Sequence, residues 1–281
     1  MAKWNYGDAY KRHPIKDTVV FDNGSVLKVH DIFDPLPEFM RQADLIFVDP
    51  PWNLGNLNTF YTKAERDDYQ SDFDRFLVRL FECIAEINPH TCYVEMGKQH
   101  LGECLVTLKK LYPHVTFYNS TYYHRPENLC YVIRASRKRK KLPLDGMDEE
   151  DIIKWVCANE DYQCIGDLCM GKGLVGLHAY KNSKRFVGTE LNHKRLSVLI
   201  EAIVKEGGKY FDPAVPKGVI QQNNSSCRMS YDFFCPTHSS SDVRQSSQLT
   251  LTATNRPLRK RRSENAIGCP HLRHAQCRGI R

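Results

Sequence analysis

The sequence predicts an α/β domain: a mostly parallel, twisted sheet with helices on both faces and one antiparallel hairpin strand. Three observations predict it. Short apolar runs such as Leu45-Ile46-Phe47-Val48 and Cys92-Tyr93-Val94-Glu95-Met96 have strand length and a buried character. Between them lie segments with apolar residues at i, i+3 and i+4, and strands alternating with helices imply a parallel sheet covered on both sides. A chain of 281 residues, 41% of them hydrophobic, is long enough to bury one large core of this kind.

The elements follow in order. Residues 18–33 are strand material broken by the turn Asp22-Asn23-Gly24, and they lead to His30-Asp31. A strand over 44–49 is followed by a polar loop, about 53–70. Ser71 then caps a helix whose apolar face is Phe73, Phe76, Leu77, Leu80, Ile84 and Ile87, with Pro89 just past its end. A strand at 92–96 precedes a helix at 98–112. Residues 115–123 and 129–135 form a hairpin around His124-Arg125-Pro126-Glu127-Asn128. After a basic connection at 136–147, Asp148 caps a helix reaching about Asn159. The strand 164–169 enters a glycine-rich turn and a helix, the strand 185–190 follows, and a last helix spans about 192–206. The domain is therefore expected over 1–210.

Past Pro216 the periodicity stops. Residues 217–281 are rich in Ser, Gln, Asn, Thr and Arg and read as a disordered basic tail. Lys and Arg number 29 against 30 Asp and Glu in residues 1–216, but 11 against 3 in 217–281, so the overall charge of +7 belongs to the tail. A nucleic-acid partner must then be argued from local clusters, chiefly Arg137, Lys138, Arg139 and Lys140, with Arg125 near the ligand end of the sheet. No apolar run of about 18 residues is present. With no apolar core at the N-terminus, and with cysteines falling inside apolar helix and strand patterns, a reducing cytoplasm is expected. Cys269, His271, His274 and Cys277 are metal-ligand types in no standard spacing, and no metal is expected.

Two motifs carry chemistry. In Asp49-Pro50-Pro51-Trp52 a strand ends in an acid, two prolines and an aromatic ring. The Asp49 carboxylate and the Pro50 carbonyl can both accept from an exocyclic NH2. The prolines fix φ and remove backbone donors, and Trp52 offers a face for a base taken from its stack. The same residues also fit a strand running into a proline-rich turn. The second motif, Asp167-Leu168-Cys169-Met170-Gly171-Lys172-Gly173, lies between strand and helix, with Glu190 ending the next strand. Its glycines permit close approach to a ligand, and an acid placed like Glu190 accepts from the ribose of a nucleoside cofactor. Gly171, Gly173 and Gly176 also fit a dinucleotide spacing, but only one such βαβ unit is visible and it comes late in the chain.

Taken together, the motifs resemble those of the S-adenosylmethionine-dependent amino-methyltransferases acting on DNA adenine. In that family the catalytic signature is Asp/Asn/Ser-Pro-Pro-aromatic and the cofactor signature Asp-x-Phe-x-Gly-x-Gly; here Cys169 replaces Phe. The catalytic motif comes first, as in the circularly permuted class. The resemblance covers about residues 18–206. It implies a Rossmann-like methyltransferase fold, S-adenosylmethionine as cofactor, and transfer of its methyl group to adenine N6 in DNA. RNA adenosine and cytosine N4 stand as alternative acceptors, and a catalytically silent nucleic-acid-binding subunit as another class. It makes Asp49, Pro50, Pro51 and Trp52 the catalytic set. Asp31, Asp167, Cys169, Gly171, Gly173, Glu190 and Asn192 are the cofactor set, with His30 standing where the family has Gly. The small recognition region, drawn from 55–70, 122–128 and 136–147, implies a short target sequence, a homodimer or a partner specificity subunit.

Overall fold

A computed structural model describes residues 6–66 and 72–213. The tail expected at 217–281 and its cysteine–histidine cluster lie outside the described residues, as does Ser71, and the residue that caps the helix expected there is Asp72. Nine strands form one sheet: β1 (Thr18–Phe21), β2 (Val26–Val29), β3 (Leu45–Val48), β4 (Thr91–Met96), β5 (His114–Tyr122), β6 (Arg125–Ser136), β7 (Cys164–Asp167), β8 (Arg185–Glu190) and β9 (Tyr210–Phe211). Their order is β5-β6-β4-β3-β7-β8-β2-β1-β9. The five central strands, β4 to β2, are parallel. The antiparallel share is larger than the one hairpin strand expected: β6 joins both β4 and β5 antiparallel, and at the other edge β1 joins both β2 and β9 so. Short connections leave no room for a crossover, as at Asp22–Ser25, where Gly24 turns at φ +81°.

The helices are α1 (Ala9–Arg12), α2 (Leu54–Lys63), α3 (Phe73–Ile87), α4 (Leu101–Leu111), α5 (Glu149–Asn159), α6 (Leu174–Lys181) and α7 (His193–Lys205), with a 3-10 turn at Glu38–Gln42. One apolar layer packs α2, α3 and α4 on the sheet, and the other packs α5, α6 and α7 on the opposite face. α3 shows how the sequence builds such an element. The Asp72 side chain accepts from Arg75 N at 3.0 Å, Phe76, Leu80 and Ile84 are buried, and Asn88 ends the helix in the left-handed region at φ 58° before Pro89. Leu80 is fully buried, and truncating it to Ala removes about 2–5 kcal/mol. Among the described residues no helix is long and apolar enough to cross a membrane.

Two expectations are corrected. The polar stretch after Trp52 is helical: Asn53 caps α2 by accepting from Asn56 N at 2.9 Å, and only Leu57 and Tyr61 are buried. One i, i+4 pair gives too narrow an apolar stripe to show periodicity. The hairpin loop is also shorter than expected. It consists of Tyr123 and His124, both at positive φ (62° and 53°), so residues 125–128 already belong to β6.

The sheet contains a topological switch point. From β3 the chain crosses through α2 and α3 to β4 on one side. From β7 it crosses through α6 to β8 on the other, with the two helix sets on opposite faces. β3 and β7 are neighbours, so a crevice opens at their carboxyl ends, the usual ligand position in an open α/β sheet.

Candidate active site

Asp49 follows β3 directly at this crevice. Trp52 Nε1 donates to its Oδ1 at 3.0 Å and Tyr122 Oη to its Oδ2 at 3.2 Å. The Trp52 and Tyr122 rings meet edge to face, with centroids 5.5 Å apart. Pro50 and Pro51 are buried. Gly97 follows β4 closely enough that a Cβ there would stand 3.1 Å from Trp52 Cε3, so a glycine leaves room for the indole. Burial pushes the Asp49 carboxyl up to about 6, against the two hydrogen bonds and Arg195, which draw it down.

Beside Asp49 lies a group that the motifs do not contain. Phe47 and Tyr93 stack on adjacent strands at 5.6 Å, and two positions further on the same face come Asp49 and Glu95. Glu95 is fully buried and neither carboxyl oxygen has a hydrogen-bond partner. Burial, then the charges of Asp49 and Glu149, push its carboxyl well above the usual range. Glu149, in the first turn of α5, is pushed up to about 8 by burial and then by Asp49. Asp148 caps that helix and also accepts from Thr121 Oγ1 and from the backbone N of His124, anchoring the hairpin tip.

The glycine turn after β7 is the second half of the site. Asp167 Oδ1 accepts from Cys169 N at 3.0 Å, and burial lifts its carboxyl to about 8. Gly171 and Gly173 have φ of +56° and +77°. A Cβ on Gly173 would lie 2.7 Å from Leu199 Cβ, so only glycine brings the turn this close to α7. Glu190 ties the turn to β8: Gly171 N donates to Oε2 at 2.7 Å and Asn192 N to Oε1 at 3.0 Å. Asn192 caps α7 and donates to the Lys63 carbonyl of α2. Asp31, after β2, accepts from Tyr61 Oη of α2 at 2.7 Å. The adjacent His30 N donates to the Glu190 carbonyl, so Asp31 and Glu190 end neighbouring strands.

The cradle fits a nucleoside cofactor with an amino-acid arm. Two glycines turn its backbone at positive φ, the first beneath the Arg195 guanidinium and the second against Leu199, and acids stand at the ends of β7, β8 and just after β2 to accept hydroxyl and ammonium donors. Among the described residues no cluster of His, Cys, Asp and Glu could hold a metal ion.

The sequence-predicted residues thus divide. Asp49, Pro50, Pro51 and Trp52 stand at one side of the crevice, and Asp31, Asp167, Cys169, Gly171, Gly173, Glu190 and Asn192 converge at the other. Arg125 is exposed at the hairpin tip, near Tyr122. The run Arg137, Lys138, Arg139 and Lys140 is elsewhere: it follows Ser136, which pairs with Thr91 at the opposite end of β4 from Glu95. There Arg137 N donates to the His90 carbonyl and Lys140 pairs with Glu160. Sequence reasoning missed Tyr122, Glu95, Glu149 and Arg195. Only Glu95 leaves a local sign, an acid inside an otherwise apolar strand.

No family model and no curated protein matches the chain. Among solved structures it is similar to the crystal structure of M1.HpyAVI, at 15% identity over 63% of this chain and 98% of that one, with a TM-score of 0.42. It is similar also to TTHA0409, a putative DNA modification methylase from Thermus thermophilus (14%, 64% and 94%, 0.45). A third is PvuII DNA methyltransferase, cytosine-N4-specific (10%, 61% and 86%, 0.39).

Proposed function

We propose that the chain transfers a methyl group from S-adenosylmethionine to the exocyclic N6 amino group of an adenine turned out of DNA. The observation that carries the reading is the Asp49 carboxylate at the switch point, each of its oxygens already accepting from an N–H or O–H donor. An amino group is a paired donor of the same kind. Asp167, Gly171, Gly173 and Glu190 would hold the cofactor, which supplies an electrophilic methyl on its sulfonium.

The chain's own residues do the rest. Asp49 and the Pro50 carbonyl accept the two N–H bonds and so orient the nitrogen lone pair. The Trp52 ring supports the base. An arylamine is a poor nucleophile because its lone pair is delocalised, and fixing its orientation is where most of the rate gain lies. As the nitrogen gains its methyl it becomes acidic, and an Asp49 oxygen takes one of its protons. At pH 7 an acid with a pKa of about 6 is mostly charged, so it can do this without being a strong base.

The test is transfer of labelled methyl from S-adenosylmethionine to unmethylated duplex DNA, with RNA in parallel, followed by nucleoside analysis. N6-methyldeoxyadenosine is expected. Label in N4-methyldeoxycytidine or in RNA would move the acceptor, and no label in either polymer despite cofactor binding would leave a silent subunit. Asp49→Ala should lower the rate at least ~10²-fold, the scale of losing one preorganised partner; near-native turnover would refute the role given to Asp49.

A further inference from the structure

Arg195 belongs to neither motif, yet its guanidinium stands in the crevice. In the first turn of α7, its Nη2 lies 2.7 Å from where a Cβ on Gly171 would be, and its Nη1 3.8 Å from Glu190 Oε2. On the far side its Cζ is 4.9 Å from the Phe60 ring of α2. The side chain is 16% exposed. It therefore fills the space over the glycine turn, between that turn and α2. Its charge reaches all three acids around the turn: Asp49, Asp167 and Glu190 are each pushed up by burial and drawn down by Arg195.

Glu190 at 3.8 Å from the guanidinium, with Asp49 within reach of the same charge, leaves a crevice that favours a cationic ligand, and the guanidinium limits how strongly. On the cofactor assignment made above, this bears on turnover. S-adenosylmethionine carries a sulfonium, an ammonium and a carboxylate, a net charge of +1. S-adenosylhomocysteine, the thioether left after transfer, has lost the sulfonium and is neutral overall. We propose that Arg195 is a built-in counter-ion that sets the preference between the two: it competes with the sulfonium for Glu190 and Asp49, and so moderates how much tighter the cofactor is held than the product.

The experiment is calorimetric titration of the full chain with S-adenosylmethionine, S-adenosylhomocysteine and adenosine. Arg195→Gln and Arg195→Met remove the charge, and Met keeps an apolar stem against Phe60 should Gln fold poorly. Both should raise the ratio of cofactor to product affinity by ~5–10-fold, the order expected for one charge several ångströms away in a partly screened site. Adenosine affinity, which has no charge to sense, should stay within about 2-fold. Arg195→Lys should return the ratio to the wild-type value. An unchanged ratio in the neutral variants would overturn the proposal, whether both ligands weaken equally, as when Arg195 holds their common carboxylate, or neither does. A wild-type protein that binds neither S-adenosylmethionine nor S-adenosylhomocysteine would instead sink the cofactor assignment itself.

Discussion

At Asp49 burial and hydrogen bonding oppose each other. Burial pushes the carboxyl up, while the Trp52 N–H and the Tyr122 O–H stabilise its charged form and hold the rise to about 6. If the charged form is the working one, activity falls as pH drops through about 6. Tyr122→Phe removes a donor to that charged form, so the acid limb of the pH–rate profile should move up by roughly 0.5–1 unit. An unmoved limb would mean that Asp49 does not control it. Glu95 is the opposite case, a carboxyl with no N–H or O–H donor and only the weak Cys130 thiol beside it. Below its unfolded pKa of about 4.5 both folded and unfolded states hold the proton. Above it the unfolded chain gains by ionising and the folded one does not, so the stability lost to Glu95 grows with pH. Glu95→Gln should leave the melting temperature unchanged at pH 4 and raise it by ~3–6 °C at pH 8. An equal gain at both values would show that the carboxyl is ionised or paired in the folded state.

At the scale of elements, what the sequence revealed depended on how local each cause is. The glycine turn was legible because its requirement is written in consecutive residues: a strand, two glycines at positive φ, a helix, and an acid 19 residues after Gly171. Gly173→Ala should destabilise the fold by about 2–4 kcal/mol in denaturant titration, since a Cβ there meets Leu199 in a backbone conformation that L residues avoid. A loss under 1 kcal/mol would mean that α7 yields easily. α2 was not legible, because its two buried residues leave no stripe and its partners Asn192, Asp31 and Arg195 come from other elements. The same reason hid Tyr122: only the hairpin register carries a residue 73 positions away onto Asp49. A further tertiary network joins β4, β6 and the end of α5. Glu160 accepts from Tyr93 Oη at 2.7 Å, from Arg134 Nε at 3.2 Å and from Lys140 Nζ at 2.9 Å. Burial would raise this carboxyl, yet its three donors keep it below the usual range.

Along the sequence of the whole molecule, the site and the surplus of positive charge fall in different stretches. The site lies within residues 31–195, in a part of the chain with nearly balanced charge, and 11 of the 40 basic residues follow position 216 against 3 acids. The order of strands and helices told that a mostly parallel sheet covered on both faces should form, whereas the switch point depends on the strand order, which only the fold supplies. The sequence did not tell which surface meets a polyanion, because charge in a sequence has no direction. Folding takes the run at 137–140 to the far end of the sheet from Asp49 and leaves Arg125 beside the crevice. Affinity for a nucleic-acid backbone comes from neutralised phosphates and falls with salt in proportion to their number. Converting Arg259, Lys260, Arg261 and Arg262 together to Gln should therefore weaken duplex binding and make the slope of log affinity against log salt shallower by up to ~3–4 units. Methyl transfer at saturating DNA should stay within about 3-fold, because the site's motifs all lie within residues 31–195. Converting Arg125 alone to Gln should change that slope by at most ~1 unit but lower transfer at saturation, since it stands next to the hairpin tip that carries Tyr122. If the tail variant leaves the slope unchanged, the phosphate contacts come from residues 1–216, and the charge surplus after position 216 serves something other than holding the substrate.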